Sequence, residues 1–185
     1  AMNKRKFLSY KGDYHNLLVY KKAECVYDVT YHFAHRFLER SDRTIDQMVQ
    51  AARSGKQNIV EGNAAAPTST ETELKLYNVA RASLQELLTD YEDFLRVRGL
   101  VQWSVEDAKH ISARQVCKEH NDSEFYRNVI ETRSGETIAN IAIILIHQTD
   151  ALLHALFEAR KQHFVKNGGV REEMTRTRLA TRNKE

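Results

Sequence analysis

The chain has 185 residues, of which 42% are hydrophobic and 29% are charged, and its formal net charge is +3. This length predicts a single domain whose core is large enough to fold without disulfides or a metal. The two cysteines, Cys25 and Cys117, lack the short spacings of a zinc site or a disulfide framework, which excludes a disulfide-rich secreted module. We therefore expect a cytoplasmic protein with reduced thiols and no cofactor.

The positive charge is concentrated at the two ends of the chain. Residues 1–12 carry a net +4 and residues 166–185 a net +3, whereas residues 13–165 carry a net −4. We expect a helical bundle over residues 14–166, with basic, flexible ends at 1–12 and 170–185. No apolar segment follows the basic N-terminal residues, so a signal peptide is not predicted.

The first two predicted helices have one apolar face each, and the single proline and seven glycines favour long helices. The first helix spans residues 14–38, and the second spans residues 43–63 and ends at Glu61-Gly62-Asn63, before Pro67. Gly55 on the inner face of the second helix predicts close approach of a neighbouring helix. Side chains at spacings of three and four define the first apolar face: Tyr20, Ala23, Tyr27, Thr30, Ala34 and Phe37.

The third and fourth predicted helices have recognisable N-termini. The third begins at Ser69 or Thr70, either of which can cap it, and ends at Gly99. The fourth, over residues 104–119, begins with a capping-box pattern in which Asp107 takes the usual place of Glu or Gln. Both starts predict that the chain reverses direction between long helices.

The C-terminal third of the chain is predicted to contain one further long helix. Residues 120–134 are predicted to be a loop with at most a short helical turn at 124–130, and the C-terminal helix spans residues 136–166 before Gly168. Its most apolar segment, Ile138–Ile146, is much shorter than the roughly 20 residues that cross a bilayer, so it is expected in the core or at a subunit contact, with no membrane span. The sequence thus predicts an all-α fold, an up-and-down four-helix bundle with an additional C-terminal helix.

The second and third helices also carry a distinctive residue pattern. It resembles the bacterial four-helix-bundle family that includes proteins encoded in intervening sequences of the large-subunit ribosomal RNA gene and that is related to the accessory proteins of diversity-generating retroelements. The resemblance covers residues 14–120, and the segment from Glu136 to Met174 is similar to an extra C-terminal segment in one branch of that family. The family usually has Arg where this chain has Gln50, and a bulky aliphatic residue where it has Gly55. The pattern consists of Gln47, Gln50-Ala51-Ala52, Ser54, Asn58-Ile59 and Glu61-Gly62, followed by Tyr77, Ala80, Ala82-Ser83-Leu84 and Glu86-Leu87.

This resemblance implies properties that composition and spacing do not. It implies an up-and-down bundle that forms a homo-oligomer, and some members of the family form five-fold rings. In the retroelement branch the known role is binding to nucleic acid and to a reverse transcriptase. We therefore expect a non-enzymatic interaction protein whose partners are other copies of itself and RNA or DNA.

Two groups of basic residues are candidates for nucleic-acid contact. Cations that neutralise phosphates give an affinity that depends on salt and not on base sequence. The net negative charge of residues 13–165 argues against strong binding of nucleic acid by the body of the protein. The candidates are Arg36, Arg40, Arg43, Arg53 and Lys56 at the end of the first helix and along the second, and Arg171, Arg176, Arg178, Arg182 and Lys184 in the tail.

A polar cluster on the second and third helices favours a structural role. Asn58, Glu61, Ser83 and Glu86 are predicted to form hydrogen bonds between helices, because buried polar groups need partners and such networks fix helix register. The sequence contains no Gly-x-Ser-x-Gly motif and no glycine-rich phosphate loop. No catalytic residue is therefore predicted.

A metal site and a scaffold role remain as alternatives. His147, Asp150, His154 and Glu158 share one face of the C-terminal helix and could ligate a cation. The sequence lacks the Glu-x-x-His motif of carboxylate-bridged di-metal bundles. The other alternative is a self-assembling scaffold for an unknown protein partner.

Overall fold

The chain is all-α over the residues that the computed structural model describes, 18–182. Seven helices and no strand occur in this range. The predictions for residues 1–12, for the start of the first helix at 14–17 and for Lys184 lie outside it. The helices are α1 Leu18–Phe37, α2 Thr44–Ala65, α3 Thr70–Val97, α4 Ala108–Glu119, α5 Ser123–Thr132, α6 Gly135–Asn167 and α7 Val170–Arg182.

Four of the helices enclose the main core. α2 packs against α1 and α3, and α6 packs against the same two helices from the other side. α4 lies on α6, and α5 lies on α1. One polar pair lies in the core, where the buried Tyr91 hydroxyl donates to Thr30 Oγ1 at 2.9 Å. The face of α3 turned to the core repeats at helical spacing through Tyr77, Ala80, Leu84, Leu87, Tyr91 and Leu95.

The connections between the four core helices lie at two opposite ends. A Cβ added at Gly135 would contact Phe37 and Phe94, so the α1–α2 connection, the end of α3 and the start of α6 lie together. At the other end, residues 68–71 and 164–172 line one depression, so the α2–α3 connection lies beside the α6–α7 junction. α6 has 33 residues, which corresponds to a length of about 50 Å between these ends.

Several predicted helix boundaries are confirmed by capping contacts. Ser69 caps α3, because its hydroxyl accepts the Thr72 backbone N–H at 3.2 Å. Gly168 follows α6 with φ +76°, a conformation that favours glycine. The Ser104–Asp107 contact also forms, with the Ser104 N–H donating to Asp107 Oδ2 at 2.7 Å. It closes a turn, however, and α4 begins only at Ala108.

The predicted arrangement of four long helices and one extra helix is not confirmed, because the described residues form seven helices. The predicted loop 120–134 includes α5, a ten-residue helix capped by Asp122. Its Tyr126 and Ile130 are buried, so this short helix is stabilised by tertiary contacts that a polar, mixed sequence does not reveal. The helix that packs against both α1 and α3 is α6, whereas α4 is a short helix on its surface. Residues 170–182, predicted as a flexible end, form α7.

The second helix was predicted to end at Glu61-Gly62-Asn63, and the observed helix is two residues longer. α2 continues to Ala65, so Gly62 lies inside a helix. A Cβ at this position would lie 2.7 Å from Tyr77 Cε1, which is closer than packed atoms allow. Glycine is therefore needed here to let the α3 ring approach, and it does not terminate the helix.

The apolar segment 138–146 belongs to the core of the described chain. All of its residues except Ile141 are buried, including Ile138, Leu145 and Ile146 at 1% exposure or less. This result supports the predicted location in the core rather than the one at a subunit contact. By length and composition alone, α6 is the one helix within residues 18–182 that could cross a membrane, a test that the buried core helix of a soluble protein also meets.

Candidate nucleic-acid interface

The first predicted group of basic residues lies around the α1–α2 connection and is partly occupied by contacts within the chain. Arg36 donates to the Ile130 carbonyl oxygen and so ties α5 to α1. The Lys56 ammonium lies 4.3 Å from the centroid of the Tyr27 ring, a cation–π contact. Two of the five predicted cations therefore have structural roles.

The other three cations of this group are exposed, and two of them, Arg40 and Arg43, have acidic neighbours in the sequence. Arg40, Arg43 and Arg53 form no ion pair among residues 18–182. The exposed Glu39 and Asp46 flank the connection that carries Arg40 and Arg43. Interleaved acids reduce the attraction of a phosphate backbone, so this group is a weak electrostatic site.

An exposed aromatic cluster lies on the outer face of α1. Tyr31 is 43% exposed, and its ring centroid lies 4.4 Å from that of His35 and 5.4 Å from that of His32. Exposed rings beside cations can stack on unpaired bases. The sequence pattern did not indicate this cluster.

The second predicted group lies on α7, which has no buried residue. Arg171, Arg178 and Arg182 are separated by seven and four residues, which places them on one face of a helix. We call these three residues the arginine stripe. Arg176 lies on another face and donates to the Asn167 carbonyl oxygen at the end of α6.

No acidic residue of the described chain forms an ion pair with the arginine stripe. Glu172 accepts the Gly169 backbone N–H at 2.9 Å and so occupies the N-terminus of its own helix. No ion pair among residues 18–182 involves the stripe. The three guanidinium groups are therefore available to an external anion.

The structure does not bring the two basic groups together. The α1–α2 connection lies at the end of the protein where α6 begins, and α7 follows the other end of α6. The length of α6, about 50 Å, separates the two ends. One continuous patch formed by all nine candidate cations of residues 18–182 is thus excluded within one chain.

The predicted polar network forms only in part. The Ser54 and Ser83 hydroxyls lie 2.8 Å apart and connect α2 to α3, and the Asn58 amide donates to Ser54 Oγ at 3.2 Å. Glu61 and Glu86 are exposed and take part in no hydrogen bond among the described residues. The network therefore consists of Ser54, Asn58 and Ser83, and it aligns two helices.

The alternative metal face is occupied by an arginine. Arg81 of α3 donates to both carboxylate oxygens of Asp150, at 2.8 and 3.2 Å, and a further N–H lies 3.2 Å from His154 Nδ1. His147 is exposed, and Glu158 lies 3.8 Å from Lys161. Within residues 18–182 no three metal-ligating side chains come together. The guanidinium already satisfies the carboxylate that a cation would need.

Two buried charged groups were not identified from the sequence. Glu73 has no exposed surface, yet it accepts three hydrogen bonds from Arg160 of α6 at 2.9–3.0 Å and one from the Tyr77 hydroxyl at 3.1 Å. Lys22 is also buried and donates to the Cys117 carbonyl oxygen, and burial lowers the pKa of its ammonium group. Neither pair has a signal in the sequence, because the partners are 87 and 95 residues apart.

Comparison of the chain with family models, with curated proteins and with solved structures found no match. The family resemblance of the second and third helices therefore stays a prediction, and the site rests on geometry alone.

Proposed function

We propose that the chain is a non-enzymatic interaction protein that self-associates and binds nucleic acid through the arginine stripe of α7. The observation that carries this proposal is the position of Arg171, Arg178 and Arg182 on one face of an exposed helix with no acidic partner. The side chains bind phosphate oxygens, as arginine does in a bidentate and charge-assisted way. Such contacts position a nucleic acid without reading its bases.

The proposed architecture follows from the helix directions. α1, α2, α3 and α6 alternate in direction between the two ends of the molecule, and α4 and α5 are inserted before the last of them. We interpret these four as an up-and-down four-helix bundle that displays α7 at one end. The family resemblance of residues 14–120 supports both this interpretation and a homo-oligomer.

Self-association has a separate observation in its favour. Val97, Val101, Val105 and Ile111 are exposed by 58–74% between the end of α3 and the middle of α4. Exposed apolar side chains in one region of a surface favour contact with another protein. Static light scattering over a concentration series tests it. A mass above the 21.4 kDa of one chain supports the proposal, and a monomer at all concentrations contradicts it.

The nucleic-acid part is tested with two variants of equal charge. One replaces the stripe (R171Q, R178Q and R182Q), and the other replaces the exposed cations of the α1–α2 group (R40Q, R43Q and R53Q). Fluorescence anisotropy with labelled single- and double-stranded oligonucleotides measures the affinity of each full chain. The stripe variant should bind at least about tenfold more weakly, because it loses three phosphate contacts, and the matched variant should change by about twofold or less. Equal losses in both, or no binding by the unmodified chain, contradict the proposal.

A further inference from the structure

α4 and α5 enclose an open cavity on one side of α6. The two helices are joined by residues 120–122, but α4 packs on α6 and α5 packs on α1, so they diverge from their connection. The space between them has a volume of about 730 Å³. This size lies within the range of small-molecule binding sites.

The interior of the cavity is apolar. Trp103, Val116, Phe125, Val129 and Ile141 contribute to its wall. Among residues 18–182, no carboxylate lines it.

The side chains that line the deep end of the cavity are neutral, and the buried Lys22, which is not part of the wall, donates to the Cys117 carbonyl oxygen. Cys117 and Tyr126 lie there, near the connection of the two helices, and both are buried. Burial raises the pKa of the Cys117 thiol to about 11, which keeps it protonated. The Tyr126 hydroxyl is satisfied because it donates to the His120 carbonyl oxygen at 2.9 Å. An apolar group can therefore enter without depriving a polar atom at this end of its hydrogen-bond partner.

The mouth of the cavity is cationic. Lys109 lies in the first turn of α4 and Arg133 directly follows α5, so both stand at the ends of the helices remote from their connection. Both are exposed, and neither forms an ion pair within residues 18–182. The hydroxyls of Ser112 and Thr137 also line the cavity. An apolar interior with two unpaired cations at its opening complements an amphipathic anion.

We propose that this cavity binds a medium-chain carboxylate of the fatty-acid type. The carboxylate lies between Lys109 and Arg133, and the hydrocarbon chain extends over Phe125 towards Cys117. This binding is independent of the arginine stripe, which lies beyond the opposite end of α6. The cations select the charge of the ligand, and the apolar wall provides the main favourable free energy.

The single tryptophan of the chain gives a direct readout, because Trp103 lines the cavity. The full chain is titrated with bromoundecanoate, whose bromine quenches indole fluorescence only in contact, and with the matching uncharged bromoalcohol. We expect saturable quenching by the carboxylate and about tenfold weaker binding of the alcohol, which corresponds to the loss of two charge contacts. Absence of saturable quenching, or equal affinity for the two probes, overturns the proposal.

Two double variants distinguish the effect of the cations at the cavity mouth from the effect of surface charge elsewhere on the same helices. K109Q with R133Q removes the two cations and should weaken carboxylate binding about tenfold while leaving the alcohol unchanged. K118Q with R127Q removes one exposed cation from each of the same helices outside the cavity wall and should leave both affinities unchanged. Equal effects of the two double variants contradict a site at this mouth.

A larger side chain in the cavity wall tests whether the hydrocarbon chain of the ligand lies inside the cavity. A113L enlarges a half-buried side chain of the wall and should abolish saturable quenching, while circular dichroism checks that the helices are retained. Retained binding by this folded variant overturns the proposal.

Discussion

At the scale of single residues, close packing decides where helices approach. Gly62 faces the Tyr77 ring, and a Cβ there would also lie 3.3 Å from the Glu73 carbonyl oxygen. Gly55, about two turns earlier in α2, faces Leu84, whose Cδ2 atom would lie 3.1 Å from an added Cβ. The first contact is with a buried ring and a backbone atom, whereas the second is with the end of a flexible side chain.

The substitution Gly62→Ala should therefore lower the free energy of unfolding by about 1–3 kcal/mol, because the ring has no room to move. The matched substitution Gly55→Ala should be close to neutral, since a gain of up to about 1 kcal/mol in helix propensity offsets its small overlap. Urea denaturation of both variants measures the difference. A Gly62→Ala variant as stable as the unmodified chain would contradict the packing argument.

The buried thiols make stability sensitive to alkaline pH. Burial raises the pKa of Cys25 to about 12 and that of Cys117 to about 11, against 9.0 for an exposed thiol. Between about pH 9 and 11 the unfolded chain loses these protons while the folded chain keeps them. The unfolded state then binds fewer protons, so stability is complete below pH 9 and decreases as pH rises.

The double substitution of Cys25 and Cys117 by Ala should flatten this alkaline decrease. Each thiol contributes at most about 1.4 kcal/mol per pH unit to the slope, and tyrosines add to it only above about pH 10. Chemical denaturation between pH 8 and 10 gives the slope for both proteins. If the slope is the same with and without the thiols, their protonation is not linked to folding.

At the scale of elements, α6 is held to α3 by a buried ion pair near its C-terminal end. Arg160 donates to Glu73, which has no exposed surface, so removal of the guanidinium leaves a buried carboxylate without its charge partner. The exposed pair Arg96–Asp93 on α3 provides a contrast, since its side chains are 72% and 53% exposed. Because the first pair is buried and the second is exposed, breaking the first should cost more unfolding free energy.

The substitution Arg160→Met should cost about 3 kcal/mol or more of unfolding free energy, whereas Arg96→Met should cost about 0.5 kcal/mol or less. Addition of Glu73→Gln to Arg160→Met should restore most of the loss, because the uncompensated charge is removed. Thermal and urea unfolding of the four proteins measures these differences. An equal cost for Arg160→Met and Arg96→Met would show that the buried pair does not anchor α6.

The elements that could be predicted from the sequence are those with local signals. Ser69 and Gly168 mark boundaries through their own backbone contacts, and the apolar faces of α1 to α3 repeat at helical spacing. α5 could be predicted only as a short helical turn at 124–130, because Tyr126 and Ile130 become buried only when α5 lies on α1. Gly62 was misinterpreted for the same reason, since the ring that requires it is 15 residues away in another helix.

The candidate site was predictable as a set of residues but not as a surface. The sequence identifies Arg171, Arg178 and Arg182 as basic, and their shared face follows once α7 is known to be a helix. It does not reveal that Arg36 is committed to the Ile130 carbonyl or that Asp150 is held by Arg81. Those assignments depend on distances between residues that are far apart in the chain.

At the scale of the whole molecule, charge is divided between two ends. The arginine stripe follows one end of α6, and the α1–α2 cations lie at the other, beside acidic residues. A nucleic acid held by the stripe alone contacts few phosphates, so one chain binds it weakly. An oligomer that presents several α7 helices would raise the apparent affinity without new contacts.

The central claim is that the arginine stripe supplies the phosphate contacts, and the salt dependence of nucleic-acid binding tests it most directly. The slope of log affinity against log salt concentration is measured for the full chain and for the R171Q, R178Q and R182Q variant on the same duplex. Each lost phosphate contact reduces the slope by about 0.9, so we predict a variant slope that is shallower by roughly 2–3. An unchanged slope in the stripe variant, with a reduced slope in the R40Q, R43Q and R53Q variant, would contradict the account and place binding at the α1–α2 connection.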